Sequence, residues 1–336
     1  MINHQAKLSS KIFSKDIGQI PTRQGYGEGL VEAGKKNENV VVLCADLTDS
    51  TRSILFKEKF PERFIEMGVA EQNMAAVAAG LEHIGKIPFI SSYAVFSPGR
   101  NNEQIRTIIS YAGRSVKIAG AHAGISVGPD GATHQALEDI ALMRVQPRMT
   151  IVVPCDAIEA KKATIAAAEY KGPVYLRFTR EKTPVITSEQ TPFQIGKAEY
   201  FWNPKNENKV DCAIIACGPL VYNALLAAKD LEDEGLSICV VNNHTVKPMD
   251  KETILAVAKK AGAIVTVEEH QAAGGMGSAI AELLAENYPA PIEFIGVQDR
   301  FGESGEPEQL VEAFGMGVKS IKEAIKKVIL RKTIDN

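Results

Sequence analysis

The run Val40-Val41-Val42-Leu43-Cys44-Ala45, followed by Asp46-Leu47-Thr48-Asp49-Ser50, decides the fold. A short unbroken apolar run suits a strand covered on both faces, as in a parallel sheet. Polar residues just past such a strand lie where open α/β sheets bind ligands. Upstream, residues 25–35 read as a helix with Leu30 and Val31 inside. Downstream, residues 63–67 form a weaker strand, and residues 87–93, 116–120, 150–153 and 174–178 repeat the strand pattern. Helical segments from Met74 to Leu81, from about 102 to 111, near 138–145 and through 157–170 alternate with them. This alternation predicts an α/β domain with a parallel sheet.

Near residues 183–190 the composition shifts to proline, threonine and polar residues, which places a boundary at about residue 190 and predicts domains over 1–190 and 191–336. The second part starts a fresh alternation. Strands at 212–216, 238–242, 263–267 and 292–296 are separated by helices at 221–234, 251–261 and 277–287, with a last helix over 319–331.

The 336 residues, 45% hydrophobic and 24% charged, describe an ordinary globular protein that buries a core without disulfides or metals. A net charge of −3 without a basic stripe argues against nucleic-acid binding. No apolar run reaches membrane-spanning length, and the polar N-terminus reads as no signal peptide, so a cytoplasmic location is expected. The five cysteines form no CxxC pair, and four of them sit in or beside strand-like runs, as small core residues of a reducing compartment do.

The stretch Gly68-Val69-Ala70-Glu71-Gln72-Asn73 runs into Met74-Ala75-Ala76-Val77-Ala78-Ala79-Gly80-Leu81. It delivers Glu71 to the start of a helix apolar enough to be expected buried. A first-turn glutamate complements the helix dipole. The same carboxyl, desolvated, is suited to exchange protons near neutrality. Local sequence leaves both readings open.

Other motifs divide similarly. Gly274-Gly275-Met276-Gly277-Ser278 opens a helix, but the third glycine of a dinucleotide fingerprint is Ile280, so close packing is the better reading. The long loop from His122 to Gln135 is glycine-rich, as functional loops often are. Its two histidines lack metal-ligand spacing and suit contact with substrate oxygens instead. Arg23 and Arg180 fall at helix and strand ends, where guanidinium forks clamp phosphates or carboxylates, with Ser50 at the same rim. Tyr93 and Phe96 are either core or a platform for a heteroaromatic ring.

Together these motifs resemble the C-terminal half of transketolase, as found in the small subunit of split transketolases. Cys-Ala-Asp46-Leu, Met-Gly-Val-Ala-Glu71-Gln-Asn, Ser-Ser-Tyr93-Ala-Val-Phe96, the Asp-Gly-Ala-Thr-His loop core, Arg144-Val-Gln-Pro, Phe-Thr-Arg180 and Asp299-Arg-Phe-Gly-Glu-Ser carry the likeness. The resemblance implies a pyrimidine-binding domain followed by a transketolase C-terminal domain. It implies that Glu71 hydrogen-bonds the aminopyrimidine of thiamine diphosphate and helps move its proton, that Phe96 stacks on that ring and that Tyr93 lines the pocket. Asp46 is implied near the cofactor. Arg23, Ser50, His122 and Arg180 are implied to hold a sugar phosphate, and Asp130 and His134 to contact its hydroxyls, with His134 also assisting proton transfer.

The family's diphosphate and Mg2+ site has no counterpart here, since no Gly-Asp-Gly followed by a distant Asn occurs. The resemblance therefore implies a larger partner chain carrying that site, and two copies of each chain in the assembly. An aromatic that some relatives carry three positions past Phe96 is Gly99 here. Alternatives at this stage are a deoxyxylulose phosphate synthase-like half, the beta-type subunit of a 2-oxo acid dehydrogenase and a catalytically silent paralogue.

Overall fold

The computed structural model describes residues 1–206 and 208–334. In chain order its strands are β1 (Gln19–Pro21), β2 (Val40–Cys44), β3 (Phe64–Glu66), β4 (Ile87–Tyr93), β5 (Lys117–Ala121), β6 (Thr150–Val152) and β7 (Val174–Arg177). They continue with β8 (Lys182–Pro184), β9 (Glu199–Trp202), β10 (Cys212–Ala216), β11 (Ile238–Asn242), β12 (Thr245–Lys247), β13 (Ile264–Gln271) and β14 (Ile292–Val297). A seven-stranded sheet has the order β12-β6-β7-β5-β4-β2-β3 and a five-stranded sheet the order β14-β13-β10-β11-β9.

β2 is buried along its whole length, and its alternate residues face two different cores. Val41, Leu43 and Ala45 join Met74, Ala75 and Ala78 of the helix α3 (Glu71–His83). Val40 and Val42 join Tyr26 and Leu30 of α1 (Thr22–Lys36) and Phe56 of α2 (Ile54–Lys59). Each such buried aliphatic contributes about 1.5–3 kcal/mol, which makes the continuous apolar run necessary.

The structure departs from the expectation in three places. First, each sheet ends in an antiparallel edge strand: β12 on β6 and β9 on β11. β12 comes from the second half of the chain yet completes the first sheet. Likewise residues near the N-terminus attach to the second sheet: Asn3 N donates to Phe201 O at 3.0 Å, and Ala6 and Ile12 are buried beside Leu220 and Val221. Second, the segment from Ile105 to Tyr111 winds as a π-helix after a short α-helical turn over Asn102–Gln104. Third, α3 is only half covered. Glu71, Met74, Ala75, Ala78 and Ala79 face inward, while Gln72, Asn73, Ala76 and Gly80 lie exposed. Its small outward residues have no covering element among the described residues.

The glycine-rich turn at 274–277 is closed by the protein itself. The Glu268 carboxylate accepts from Met276 N at 2.7 Å and Gly277 N at 2.8 Å, occupying the helix N-terminus. A Cβ on Gly275 would collide with that carboxylate.

A buried ion pair joins the two sheets. Arg177 Nε donates to Asp139 Oδ2 at 2.7 Å, and its Nη2 donates to Ala136 O at 3.2 Å and Glu269 O at 2.9 Å. Tyr175 OH also donates to Asp139, at 2.6 Å. Burial pushes the Asp139 carboxyl up, but the charges of Arg177 and His270 together with the hydrogen bonds from Arg177 and Tyr175 hold it below its ordinary value. Breaking such a pair strands a charge. Arg177→Met is therefore expected to destabilise the chain by about 3–5 kcal/mol, and Arg177→Met with Asp139→Leu by less. Urea unfolding of both variants checks this; a double variant less stable than the single one contradicts it.

Candidate active site

The loops that follow β2, β4, β5 and β7 leave the large sheet at one end, where parallel α/β sheets present their ligand sites. α1 starts at the same rim because Thr22 Oγ1 accepts from Thr179 N at 2.7 Å. This brings Arg23 beside the end of β7.

Glu71 is the first residue of α3 and is 2% exposed. Three bonds to the Glu66 carboxylate set the approach to it: Asp46 N at 2.8 Å, Thr48 Oγ1 at 2.9 Å and Gly68 N at 3.0 Å. Asn101 Nδ2 donates to Glu71 O at 3.1 Å and to Ser97 Oγ at 3.1 Å, which fixes the backbone of Glu71. The Glu71 carboxylate meets a partner that sequence reasoning missed. Arg100 Nη1 lies 3.1 Å from Oε1 and 3.0 Å from Oε2. The signal was present: Arg100 stands four residues after Phe96, one turn on.

The aromatics are neighbours. Tyr93 and Phe96 lie with ring centroids 5.9 Å apart and nearly parallel, and Tyr93 stacks on the His122 imidazole at 3.9 Å. His134 meets the edges of both, at 6.3 Å from Tyr93 and 5.7 Å from Phe96. A Cβ on Gly99 would collide with Val95 O, so this turn admits no side chain at that position. The Arg100 guanidinium instead lies over Phe96, 4.9 Å from the ring centroid.

The cationic residues converge next to them. Arg23 donates from Nη1 to Ser50 O at 2.7 Å and from Nε to Arg180 O at 3.2 Å. Ser50 is thus engaged through its carbonyl, not its hydroxyl. Arg180 donates to Val127 O at 2.9 Å, inside the histidine-flanked loop. Burial lowers the Arg23 pKa first, followed by the charges of Arg52 and Arg180. Arg52 is a second residue missed from sequence. Asp46 and Asp130 are exposed and their carboxylates make no hydrogen bond or ion pair among the described residues.

Buried polar atoms at the site without a hydrogen-bond partner among the described residues include Arg52 Nε, Asn101 Oδ1 and His122 Nδ1. Backbone strain accompanies them, since Asp46 (φ 57°) and His122 (φ 52°) are left-handed without being glycine. Strained residues and orphaned polar groups of this kind gather at functional sites. Among the described residues no group of three or more His, Cys, Asp or Glu is placed to hold a metal ion, and no helix is long and apolar enough to cross a membrane.

Comparison with known proteins decides the family. Residues 18–185 match the transketolase pyrimidine-binding domain and residues 202–321 the transketolase C-terminal domain. The chain belongs to the transketolase family. It is 45% identical to the putative transketolase C-terminal section of Methanocaldococcus jannaschii, over 90% of this chain and 94% of that protein. It is 41% identical to a 6-deoxy-6-sulfo-D-fructose transketolase subunit of a Clostridium species, over 92% and 95%. A solved structure described as a split gene transketolase, inactive beta4 tetramer, superposes with a TM-score of 0.86 at 45% identity, covering 93% of this chain and 99% of that one. Human transketolase is 33% identical over 93% of this chain, which spans 50% of its length.

These matches support a transketolase-type subunit and not the synthase-like, dehydrogenase-type or silent alternatives. Transketolases catalyse ketol transfer and in general use thiamine diphosphate.

His122 yields a test of the site's electrostatics. Burial first, then the charges of Arg23, Arg180 and His134, push its pKa from 6.5 down to about 3. The His122 ring is therefore expected to keep neutral-imidazole nitrogen shifts by NMR from about pH 8 down to about pH 5. A His122 titration with a midpoint near the ordinary 6.5 would contradict the geometry.

Proposed function

We propose that this chain is the small half of a split transketolase that moves a two-carbon ketol unit from a ketose phosphate to an aldose phosphate. The observation that carries the reading is the meeting, at one sheet end, of the buried Glu71 carboxylate, the Phe96 ring and a rim built from Arg23, Arg180 and His122.

The residues fit the aminopyrimidine side of thiamine diphosphate. Glu71 offers a carboxyl at the edge of a flat slot, and Phe96 offers the ring face. Tyr93 lines the slot and fixes the His122 ring by stacking. Asp46 lies on the neighbouring loop. The unpaired Asn101 Oδ1 and His122 Nδ1 are groups that a bound ligand completes. The cofactor, when bound, supplies the electron sink. Glu71 holds and passes a proton at the ring nitrogen.

Arg23 and Arg180 meet the charge of a sugar phosphate, with Ser50 beside them, and His122 binds as a neutral hydrogen-bonding ring. Asp130 and His134 contact sugar hydroxyls, and His134 moves a proton at a sugar oxygen. Xylulose phosphate or fructose phosphate are the donors expected from the family likeness.

We assign the diphosphate and its Mg2+ to a larger partner chain, because the sequence carries no motif for them. The assembly is proposed to hold two of each chain. Two observations support self-association: the uncovered small-residue face of α3, and the beta4 tetramer formed by the solved relative. Five buried free thiols are consistent with a reducing, cytoplasmic compartment. The net charge of −3 gives no support to nucleic-acid binding.

Co-expression with a larger partner subunit, followed by a ketol-transfer assay with sugar phosphates, thiamine diphosphate and magnesium, tests the proposal. Pyruvate decarboxylation with no sugar-phosphate activity would sink it. In the active complex, Glu71→Ala is expected to lower turnover by at least about 10²–10⁴-fold while the melting profile still shows a folded protein.

A further inference from the structure

We infer that Arg100 is a positioning residue that keeps the site closed in the free chain: its guanidinium occupies the hydrogen-bonding place at Glu71 and the stacking place at Phe96 that an aminopyrimidine ring requires. The inference rests on the reading of Glu71 and Phe96 given above.

One Nη1 of Arg100 reaches both oxygens of Glu71, at 3.1 and 3.0 Å, while the guanidinium carbon stands 4.9 Å from the Phe96 centroid. That distance is within the roughly 6 Å reach of cation–π attraction. A guanidinium is planar, has a stacking face and carries its donors in the plane. An aminopyrimidine shares the plane, the face and an in-plane amino group. The two therefore compete for the same slot with the same contacts.

They differ in what they ask of the carboxyl. Facing a guanidinium, a carboxylate accepts hydrogen bonds. Facing an unprotonated ring nitrogen, a carboxyl must donate one. A protonated Glu71 keeps an accepting oxygen, so it is the shared space, at the carboxyl edge and over Phe96, that makes ring binding and the Arg100 contact exclude each other.

The local structure decides which group moves. Glu71 is 2% exposed and its backbone carbonyl is held by Asn101, whereas the Arg100 side chain is 50% exposed. The Arg100 backbone is tied back by its own N–H to Phe96 O at 2.8 Å. Gly99, packed against the Val95 carbonyl, lets the chain turn so that Arg100 follows, and its guanidinium lies over Phe96. Among the described residues Glu71 is its only acidic partner. On leaving, the guanidinium goes to solvent or to an acid of another chain.

If the open slot is populated in only a fraction of molecules, apparent affinity for a ring falls by that fraction. The test titrates the full-length chain, by calorimetry or ligand-observed NMR, with thiamine, which has the aminopyrimidine but no diphosphate. Arg100→Met is expected to bind thiamine about tenfold more tightly than the natural chain, with Arg100→Lys in between. Adding Glu71→Ala to Arg100→Met is expected to remove the gain. Where Arg100→Met fails to fold, Arg100→Gln serves the same comparison.

Equal or weaker binding by the variant, no binding by either protein, or a gain that survives Glu71→Ala overturns the inference. Turnover in the assembled complex separates this from failure of the site reading. Loss of turnover on Glu71→Ala upholds the role of Glu71 whatever Arg100 does, and full turnover in that variant removes the role and the inference together.

Discussion

The architecture hangs on a buried guanidinium. Arg177 ends β7 and bonds at once to Asp139, to the carbonyl of Ala136 and to the carbonyl of Glu269. Ala136 closes the long loop that carries His122 and His134, and Glu269 belongs to the second sheet. One side chain thus fixes the loop and the joint between sheets. A lysine has one point of charge; the planar fork with several donors is what allows one residue to satisfy three acceptors in different directions. The same strand then supplies the rim: Phe178 stacks on Tyr26 at 4.9 Å, and Arg180 emerges beside Arg23. The buried arginine and the rim arginine are only three residues apart, so the placement of the second follows from the anchoring of the first.

The strands of the large sheet were legible because their physics is local. A strand buried on both faces must be apolar along its length, and β2 and β10 satisfy this within a few consecutive residues. The edge strands were not legible for the opposite reason. β12 has three residues, and its partner β6 lies about ninety positions earlier in the chain. Nothing in Thr245-Val246-Lys247 announces a partner in the other half. The attachment of the N-terminal residues to Phe201 and Trp202 is equally remote in sequence.

Among the site residues, those placed by a regular element were foreseeable, since the end of a strand or the start of a helix is a readable position. Glu71, Tyr93 and Arg180 are of this kind. What was hidden depended on turn geometry. Asp46 and His122 adopt left-handed backbones, which aspartate and histidine take up more often than most residues but too seldom to announce in sequence. Arg100 folds back over Phe96 because of the turn between them, and its contact with Glu71 spans 29 positions. The helical pattern of α3 predicted its inward face but not its uncovered outer one, because small apolar residues pack equally well against a neighbouring element or a neighbouring chain.

The two ends of the site handle charge differently. At the rim, cations stand close together: burial first, and then the charges of Arg52 and Arg180, lower the Arg23 pKa. Burial first, and then the repulsion of Arg23 and Arg180, hold His122, which stacks on Tyr93, neutral. Its Nδ1 then remains a hydrogen-bonding group rather than a fourth charge, and an anion arriving there meets guanidiniums for its charge and an imidazole for its direction. At the other end a single carboxylate is balanced by a single guanidinium. The rim gains from an added anion, whereas the Glu71 end is already neutral and gains only from a flat ligand able to replace Arg100. The two ends thus favour different chemistry, an anionic group at the rim and a planar ring face at Glu71 and Phe96.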